Sequence, residues 1–177
     1  MTPAELKALV RTIPDFPAKG VQFRDITTLI GDGEGFASTV AWLAERIPAE
    51  TTAIAGMEAR GFIFGAAVAA QLSLPFLPIR KPGKLPCKTI GIDYHLEYGT
   101  DRLEMDPDAV GEGASVAIVD DLLATGGTSC AAAALLRKAG ARVDIACFVI
   151  DLPDLGGRAK LREIDVAVDA LMEFAGE

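Results

Sequence analysis

Residues 116–128 constrain the fold of this chain more than any other segment. Residues 116–119 (Val-Ala-Ile-Val) form an uninterrupted apolar run rich in β-branched side chains, typical of a strand buried on both faces of a parallel sheet. Two carboxylates, Asp120 and Asp121, follow directly, and a glycine-containing turn then opens into a helical pattern. This order predicts a strand–turn–helix unit of an α/β fold, with the acid pair at the carboxyl end of the sheet, where open α/β sheets bind ligands.

The turn itself has the properties of a phosphate site. Glycine permits close backbone approach, threonine supplies hydroxyls, and a helix N-terminus presents unpaired N–H groups at the positive end of its dipole. The carboxylates can bind the hydroxyls of a sugar, and the neighbouring N–H groups can bind a phosphate. The segment therefore suits a sugar phosphate as its ligand. Neighbouring residues of an extended strand point to opposite faces, so we expect the chain to be turning already at Asp120 and Asp121. The alternative is an ordinary capped strand–turn–helix connection. The turn residues are Ala124, Thr125, Gly126, Gly127 and Thr128.

Composition narrows the class of protein. The 177 residues predict a single domain, and a net charge of −8 argues against a nucleic-acid-binding surface. The three cysteines, Cys87, Cys130 and Cys147, are scattered without C-x-x-C spacing, which favours reduced thiols in a cytoplasmic protein. No apolar run reaches transmembrane length and no signal-like N-terminus is present, so we expect no membrane association.

Strand and helix patterns alternate along the chain, which predicts an α/β fold with a mostly parallel central sheet flanked by helices. Residues 81–106 interrupt this alternation with two prolines and three glycines, so we expect a loop or hairpin that forms a mobile flap over the site. The predicted helices are 3–10, 36–47, 62–72 and 128–139, the predicted strands are 53–55, 75–80, 116–119, 145–150 and 166–168, and the predicted loop and turn are 13–20 and 31–35.

Four further segments carry candidate chemistry: 15–26 (DFPAKGVQFRDI), 55–62 (AGMEARGF), 80–86 (RKPGKLP) and 94–99 (YHLEYG). Arg60 follows a predicted strand and suits two-pronged binding of phosphate oxygens; the alternative is a helix start at which Glu58 favours the dipole. Arg80, Lys81 and Lys84 form a local positive cluster in an acidic protein, which would attract an anion. The alternative for these cations is a solvated surface cluster.

Together these segments, from about residue 15 to residue 158, resemble the type I phosphoribosyltransferases, and among them the adenine phosphoribosyltransferases. The resemblance implies a type I phosphoribosyltransferase fold over residues 1–177, with a small N-terminal base-binding hood at 1–33 and a flexible catalytic loop at 81–106. It implies transfer of the 5-phosphoribosyl group from phosphoribosyl pyrophosphate (PRPP) to adenine, which gives AMP and pyrophosphate. It also implies a homodimer, and Mg²⁺ held mainly by PRPP oxygens with no direct protein ligand.

The resemblance assigns roles to most of these residues. Asp120 and Asp121 hold the ribose hydroxyls, and the turn from Ala124 to Thr128 cradles the 5′-phosphate. Glu97 is the general acid/base. His95, the only histidine, has no partner in the sequence, and we expect it on the loop surface. The pyrophosphate site comprises Glu58, Arg60, Arg80, Lys81, Lys84 and Tyr98.

The resemblance places the base site in two segments that are far apart in the sequence. Main-chain groups of Gln22 and Arg24 read the purine edge, Phe23 packs on the ring, and Leu152 stacks from the opposite side. From the residues alone, the first segment is also consistent with an edge strand whose Phe23 lies in the core, and Leu152 with an ordinary apolar strand end.

Two other functions compete with this interpretation. One is a phosphoribosyltransferase for another base, against which the 15–26 and 94–99 segments argue. The other is a non-catalytic PRPP-binding regulator, since a fold does not determine its function. Such regulators usually add a DNA-binding domain, for which this acidic chain has no spare length.

Overall fold

A computed structural model of the chain describes residues 1–95 and 99–176. The elements are α1 (Pro3–Leu9), β1 (Arg11–Pro14), β2 (Gln22–Asp25), α2 (Thr27–Gly31), α3 (Gly33–Ala44), β3 (Ala53–Met57), α4 (Arg60–Leu72), β4 (Phe76–Ile79), β5 (Ile90–His95), β6 (Thr100–Met105), β7 (Val116–Leu123), α5 (Gly127–Lys138), β8 (Ile145–Asp151), α6 (Gly157–Glu163) and β9 (Ala167–Glu173), with 3₁₀ turns at Pro107–Ala109 and Pro153–Leu155.

The central sheet has five parallel strands in the order β4-β3-β7-β8-β9. Because strand side chains alternate between faces, each inner strand contributes side chains to two cores, one on each face of the sheet. In β8, Phe148 packs in the core that α5 and α6 cover, whereas Val149 packs in the core that α3 and α4 cover. The predicted α/β architecture, a mostly parallel sheet flanked by helices, is confirmed.

Two small antiparallel sheets lie outside the central one. Strands β1 and β2 pair within the first 33 residues, where the hood was predicted, and β5 pairs with β6 inside the predicted 81–106 insertion. The insertion is therefore a hairpin, one of the two forms expected. The expectation of a loop over 13–20 is wrong at its start, because β1 extends to Pro14 and pairs with β2.

Some element boundaries also differ from expectation. Residues 31–35 are not a free turn, because Asp32 caps α3 by accepting a hydrogen bond of 2.7 Å from the Gly35 N–H, so the helix begins at Gly33. Strand β9 is longer than the predicted 166–168, because it pairs with β8 along its full length. Within the part that the structure describes, no helix has the length and apolar character needed to cross a membrane.

One correction concerns the acid pair. The chain is not yet turning at Asp120 and Asp121, because β7 continues through both to Leu123 and stays paired with β8 on one side. On its other side, β7 pairs with β3 only as far as Ile118. Past that point the edge of β7 toward β3 is free, and a cleft opens there.

The core on the α4 side supplies a stability test. Phe64 is fully buried and makes an edge-to-face contact with Phe36, with 5.7 Å between ring centroids. We expect Phe64→Ala to lower the free energy of unfolding by about 3–5 kcal/mol, because the lost contacts leave a cavity. Ile63→Ala is the matched control, since Ile63 is on the same helix but 39% exposed, and should change it by less than about 1 kcal/mol. Urea unfolding followed by circular dichroism measures both; equal losses would contradict this account of the core.

Candidate active site

The cleft at the free edge of β7 is a cavity of about 200 Å³. One wall is the turn between β3 and α4, and the other is the end of β7 with the turn into α5. Both carboxylates border it although the strand is extended, because the cleft lies beyond the point where β3 leaves β7. The lining residues are Met57, Glu58, Ala59, Arg60, Asp120, Asp121, Leu122, Ala124, Thr125, Gly126, Gly127, Thr128 and Ser129.

The acid pair is almost completely withdrawn from water. Asp120 is 9% exposed and Asp121 is 5% exposed. Asp120 Oδ1 accepts a hydrogen bond of 2.9 Å from the Asp121 N–H, and the Arg60 Nε lies 2.8 Å from Asp121 Oδ2. Burial, and then the charge of Asp121, raise the pKa of Asp120 well above its usual range. Burial also raises the pKa of Asp121, against the opposing charge of Arg60. Desolvated carboxyls of this kind gain from ligand hydroxyls that donate hydrogen bonds to them.

The turn after β7 places backbone N–H groups at the cavity. Helix α5 begins at Gly127, and Gly126 before it has a φ of 79°, a conformation that glycine adopts without strain. A β-carbon on Gly126 would also lie 2.9 Å from the Gly157 Cα, so the first residue of α6 packs tightly against this turn. The cavity therefore joins two buried carboxyls to a helix N-terminus suited to phosphate.

A second cavity, of about 300 Å³, adjoins the first. Phe23 of β2 and Leu152, which follows β8, belong to its walls, so the structure brings together residues that are distant in sequence. Its lining residues are Val21, Gln22, Phe23, Arg24, Arg60, Leu122, Ala124, Thr125, Leu152 and Leu155; Arg60, Leu122, Ala124 and Thr125 also line the first cavity.

Strand β2 presents a free backbone edge. Pro14 pairs with Gln22 but has no N–H, so this pair must be of the kind that exchanges no hydrogen bonds. Because the two kinds alternate along an antiparallel ladder, the pair of Thr12 and Arg24 is of the same kind. The N–H and C=O groups of Gln22 and Arg24 therefore point away from β1. Main-chain groups that form hydrogen bonds with the edge of a planar ligand would need this orientation.

Comparison with known proteins gives a consistent family. A model of the phosphoribosyl transferase domain matches residues 31–171. The adenine phosphoribosyltransferase of Erythrobacter litoralis is 67% identical over 99% of both chains. The chain belongs to the adenine phosphoribosyltransferase family. It is therefore a pentosyl-transferring enzyme, and the predicted family is confirmed.

Solved structures of this family share the fold. The adenine phosphoribosyltransferase of Thermoanaerobacter pseudethanolicus has a TM-score of 0.93 and 47% identity, covering 98% of this chain and 100% of that one. The Saccharomyces cerevisiae enzyme, solved in complex with adenine and an imino-altritol bisphosphate, has a TM-score of 0.89 and 35% identity, covering 96% of this chain and 98% of that one. The type I phosphoribosyltransferase fold predicted from the sequence is thereby confirmed.

The other predicted pyrophosphate residues differ in their positions relative to the cleft. Glu58 lines it, and the peptide bond from Glu58 to Ala59 is cis. Arg80 does not line it; its Nε lies 2.7 Å from Glu58 Oε2, and its guanidinium donates to the Lys84 C=O at 2.9 Å. Lys81 forms an ion pair with Asp101 of β6, which lowers the pKa of that carboxyl, and Lys84 is exposed.

The predicted loop tip is only partly described. Glu97 and Tyr98 lie outside the described residues. The flanking hairpin does reach the phosphate turn, since the Thr128 hydroxyl donates to the Tyr94 hydroxyl at 3.4 Å. His95 is exposed at the end of β5, as expected for a loop surface residue. In residues 1–95 and 99–176, no three or more His, Cys, Asp or Glu side chains cluster in a way that could hold a metal ion.

Two glycines of the site were missed by the sequence reasoning. A β-carbon on Gly61, in the first turn of α4, would collide with Asp120 Oδ1, and one on Gly157 would collide with the Ala124 C=O. Gly61 thus lets the helix approach the acid pair, and Gly157 lets α6 approach the phosphate turn. Their only signal in the sequence is a glycine at the start of a helix, which is common.

The raised pKa of Asp120 predicts a cost in stability. When a carboxyl has a higher pKa in the folded than in the unfolded chain, the folded chain binds more protons, so stability falls as pH rises above the unfolded value of about 3.9. We expect Asp120→Asn, whose amide oxygen can still accept from the Asp121 N–H, to raise the free energy of unfolding at pH 7 by about 1 kcal/mol. Near pH 4 this advantage should vanish.

Thermal unfolding at pH 7 and pH 4 measures the effect. Asp144→Asn is the control, since Asp144 is exposed and pairs with Arg142 on the surface; we expect it to change stability by less than about 0.5 kcal/mol. A variant at Asp120 that is less stable than the wild type at pH 7 would show that the charged carboxyl stabilises the fold.

Proposed function

We propose that this chain transfers the 5-phosphoribosyl group of PRPP to adenine, releasing pyrophosphate and forming AMP in purine salvage. The single observation that carries the proposal is the pair of adjoining cavities that share Arg60, Leu122, Ala124 and Thr125. One offers carboxyls and helix N–H groups to a sugar phosphate, and the other offers an apolar slot to a planar base. The names of full-length relatives support the same reaction.

The first cavity is proposed to bind PRPP. Asp120 and Asp121 accept hydrogen bonds from the ribose 2′ and 3′ hydroxyls, which offsets the desolvation of both carboxyls. The backbone from Ala124 to Thr128 and its two threonine hydroxyls hold the 5′-phosphate. The pyrophosphate is proposed to lie against Glu58, Arg60, Arg80, Lys81, Lys84 and Tyr98. Support comes from the exposed fractions of the Arg60 and Lys81 side chains, 43% and 36%, which leave both cations accessible.

The second cavity is proposed to bind adenine between Phe23 and Leu152. The free backbone edge at Gln22 and Arg24 offers an N–H donor and a C=O acceptor, which suit the N1 acceptor and the N6 donor of adenine. A 6-oxo purine presents the reverse pattern, and each mispaired buried polar group costs about 1–3 kcal/mol. The choice of base would thus depend on the backbone rather than on the side chain of Gln22.

The proposed mechanism is mostly alignment of two reactants. As the bond from the anomeric carbon to pyrophosphate breaks, positive charge develops on the ribose, and a purine nitrogen attacks from the opposite face. Holding both reactants in line can supply about 7–11 kcal/mol of the barrier. Glu97 is proposed to hold the proton that the purine imidazole must lose. Closure of the 81–106 hairpin would exclude water and so limit hydrolysis of PRPP.

Magnesium fits this site as an ion carried by the substrate. Three acids of the described chain line the cleft, Glu58, Asp120 and Asp121, but they are not grouped in a way that could hold a metal ion by themselves, which fits an ion coordinated mainly by PRPP oxygens. Such an ion, when bound, would neutralise charge on the leaving pyrophosphate. A homodimer and a cytoplasmic location also belong to the proposal; the family supports the first, and the free thiols of Cys87, Cys130 and Cys147 support the second.

A base panel tests the proposed reaction. Purified protein with PRPP and Mg²⁺ is offered adenine, hypoxanthine, guanine, xanthine or orotate, and nucleotide formation is followed. We expect AMP from adenine, and at most traces of product from the other bases. Product from a 6-oxo base instead would contradict the proposed base site while leaving the PRPP site intact. PRPP binding without any product would favour a regulator.

The role of Glu97 is tested separately. We expect Glu97→Gln to lower kcat by at least about 100-fold, because the amide cannot accept the purine proton, while the KM for PRPP stays within a few-fold. His95→Gln, on the exposed end of β5, is the neighbouring control and should retain most of the activity. Turnover of Glu97→Gln within a few-fold of wild type would remove Glu97 from this role.

A further inference from the structure

The last described residues of the chain make unusual contacts with the base-binding hood. We define the C-terminal tie as residues 173–176. Two cations lie over the ring of Phe174, with the Lys7 Nζ 4.6 Å and the Arg24 guanidinium carbon 4.7 Å from its centroid. The Arg24 guanidinium also donates to the Ala175 C=O at 3.0 Å. Arg24 is a hood residue that lines the second cavity, so the tie contacts one wall of that cavity.

The C-terminal tie also contacts the opposite wall of the second cavity. The Phe174 N–H donates to the Asp151 C=O at 3.1 Å, and the Gly176 N–H donates to Asp154 Oδ2 at 2.8 Å. Asp151 directly precedes Leu152, and Asp154 directly precedes Leu155. Both leucines line the cavity opposite β2. Phe174, Ala175 and Gly176 therefore connect the two walls of the base cavity.

Apolar packing also attaches the hood, because Ile26 and Leu29 share one buried core with Leu152. Strands β1 and β2 form a sheet of their own, which shares no ladder with the central sheet that carries Leu152. The Arg24 guanidinium donates to the Thr12 hydroxyl at 2.7 Å as well as to the Ala175 C=O, and its Nε is buried without a hydrogen-bond partner. The tie therefore links β2 to the end of β8 through hydrogen bonds and cation–π contacts.

We propose that the C-terminal tie sets the separation of the two walls of the base cavity, and that Phe174 is a positioning residue for the purine. The proposal rests on the proposed function, in which this cavity takes adenine. A flat base contacts both walls, and a gap of only about 0.5–1 Å forfeits a quarter to a half of the dispersion attraction at each contact. Loosening the tie would therefore weaken adenine binding while leaving unchanged the PRPP cavity, whose described lining includes none of residues 173–176.

Three variants of Phe174 in the full chain test this inference. Phe174→Ala removes the ring, Phe174→Leu keeps apolar bulk without a π face, and Phe174→Tyr restores the face. We expect the KM for adenine to rise about tenfold in the leucine variant, given the usual size of the two cation–π contacts that it loses, to rise at least as much in the alanine variant, which also loses packing, and to return to the wild-type value in the tyrosine variant. The KM for PRPP should stay within about twofold in all three.

Arg46→Gln is the matched control, because it removes a cation–π contact with Trp42 on α3, 3.4 Å from the ring, away from both cavities. It should leave both KM values unchanged. Calorimetric titration with adenine gives the same comparison without turnover, and the leucine variant carries the test if the alanine variant does not fold. An unchanged adenine KM in the leucine and alanine variants, or equal rises in both KM values, would overturn the proposal. A wild-type chain that neither binds nor uses adenine would instead refute the proposed function.

Discussion

This site depends on one constraint, the burial of two adjacent carboxyls at the end of the central strand. Burial raises the pKa of each, and Arg60 is the cation that the described structure sets against them. Helix α4 can approach this closely only because Gly61 has no side chain where Asp120 lies. Without a ligand, the folded chain thus keeps two desolvated carboxyls at a cost in the free energy of folding. Hydrogen bonds from ligand hydroxyls can offset that cost. The same burial that weakens the fold at this point makes the carboxyls effective as hydrogen-bond acceptors.

The position of the site follows from strand lengths. Strand β7 is longer than its pairing with β3, so one edge of it is free beside the turn into α4, while the other edge remains fixed by β8. That asymmetry lets consecutive residues of an extended strand border one cavity. The phosphate turn is held in place by α6 through Gly157, and the hairpin of β5 and β6 touches it through Tyr94. Three separate segments thereby determine the shape of a cleft whose chemistry comes from one.

The base cavity has a different construction. One wall belongs to a two-stranded sheet near the N-terminus, the other to the end of β8, and the last described residues contact both. Parts of a cavity that come from distant segments keep their spacing only if something connects them. Here a shared apolar core provides one connection, and a short segment whose aromatic ring is approached by two cations provides another.

Local patterns in the sequence were enough to indicate the central architecture. Buried β-branched runs, helical spacing and glycine stops indicated the parallel sheet and its helices, and the string from Val116 to Thr128 indicated a sugar-phosphate site, because strand ends and helix starts depend mainly on neighbouring residues. The extension of β7 through the acid pair, the start of α3 at Gly33 and the pairing of β1 with β2 were not predictable in this way, because strand pairing and capping contacts from other segments decided them. The sequence by itself therefore determined which chemical groups this protein has available and on what kind of element each one stands. Only the tertiary structure decided that the segment of Phe174 contacts both walls of the cavity that Phe23 and Leu152 line, because the separation of segments far apart in the chain is set by packing.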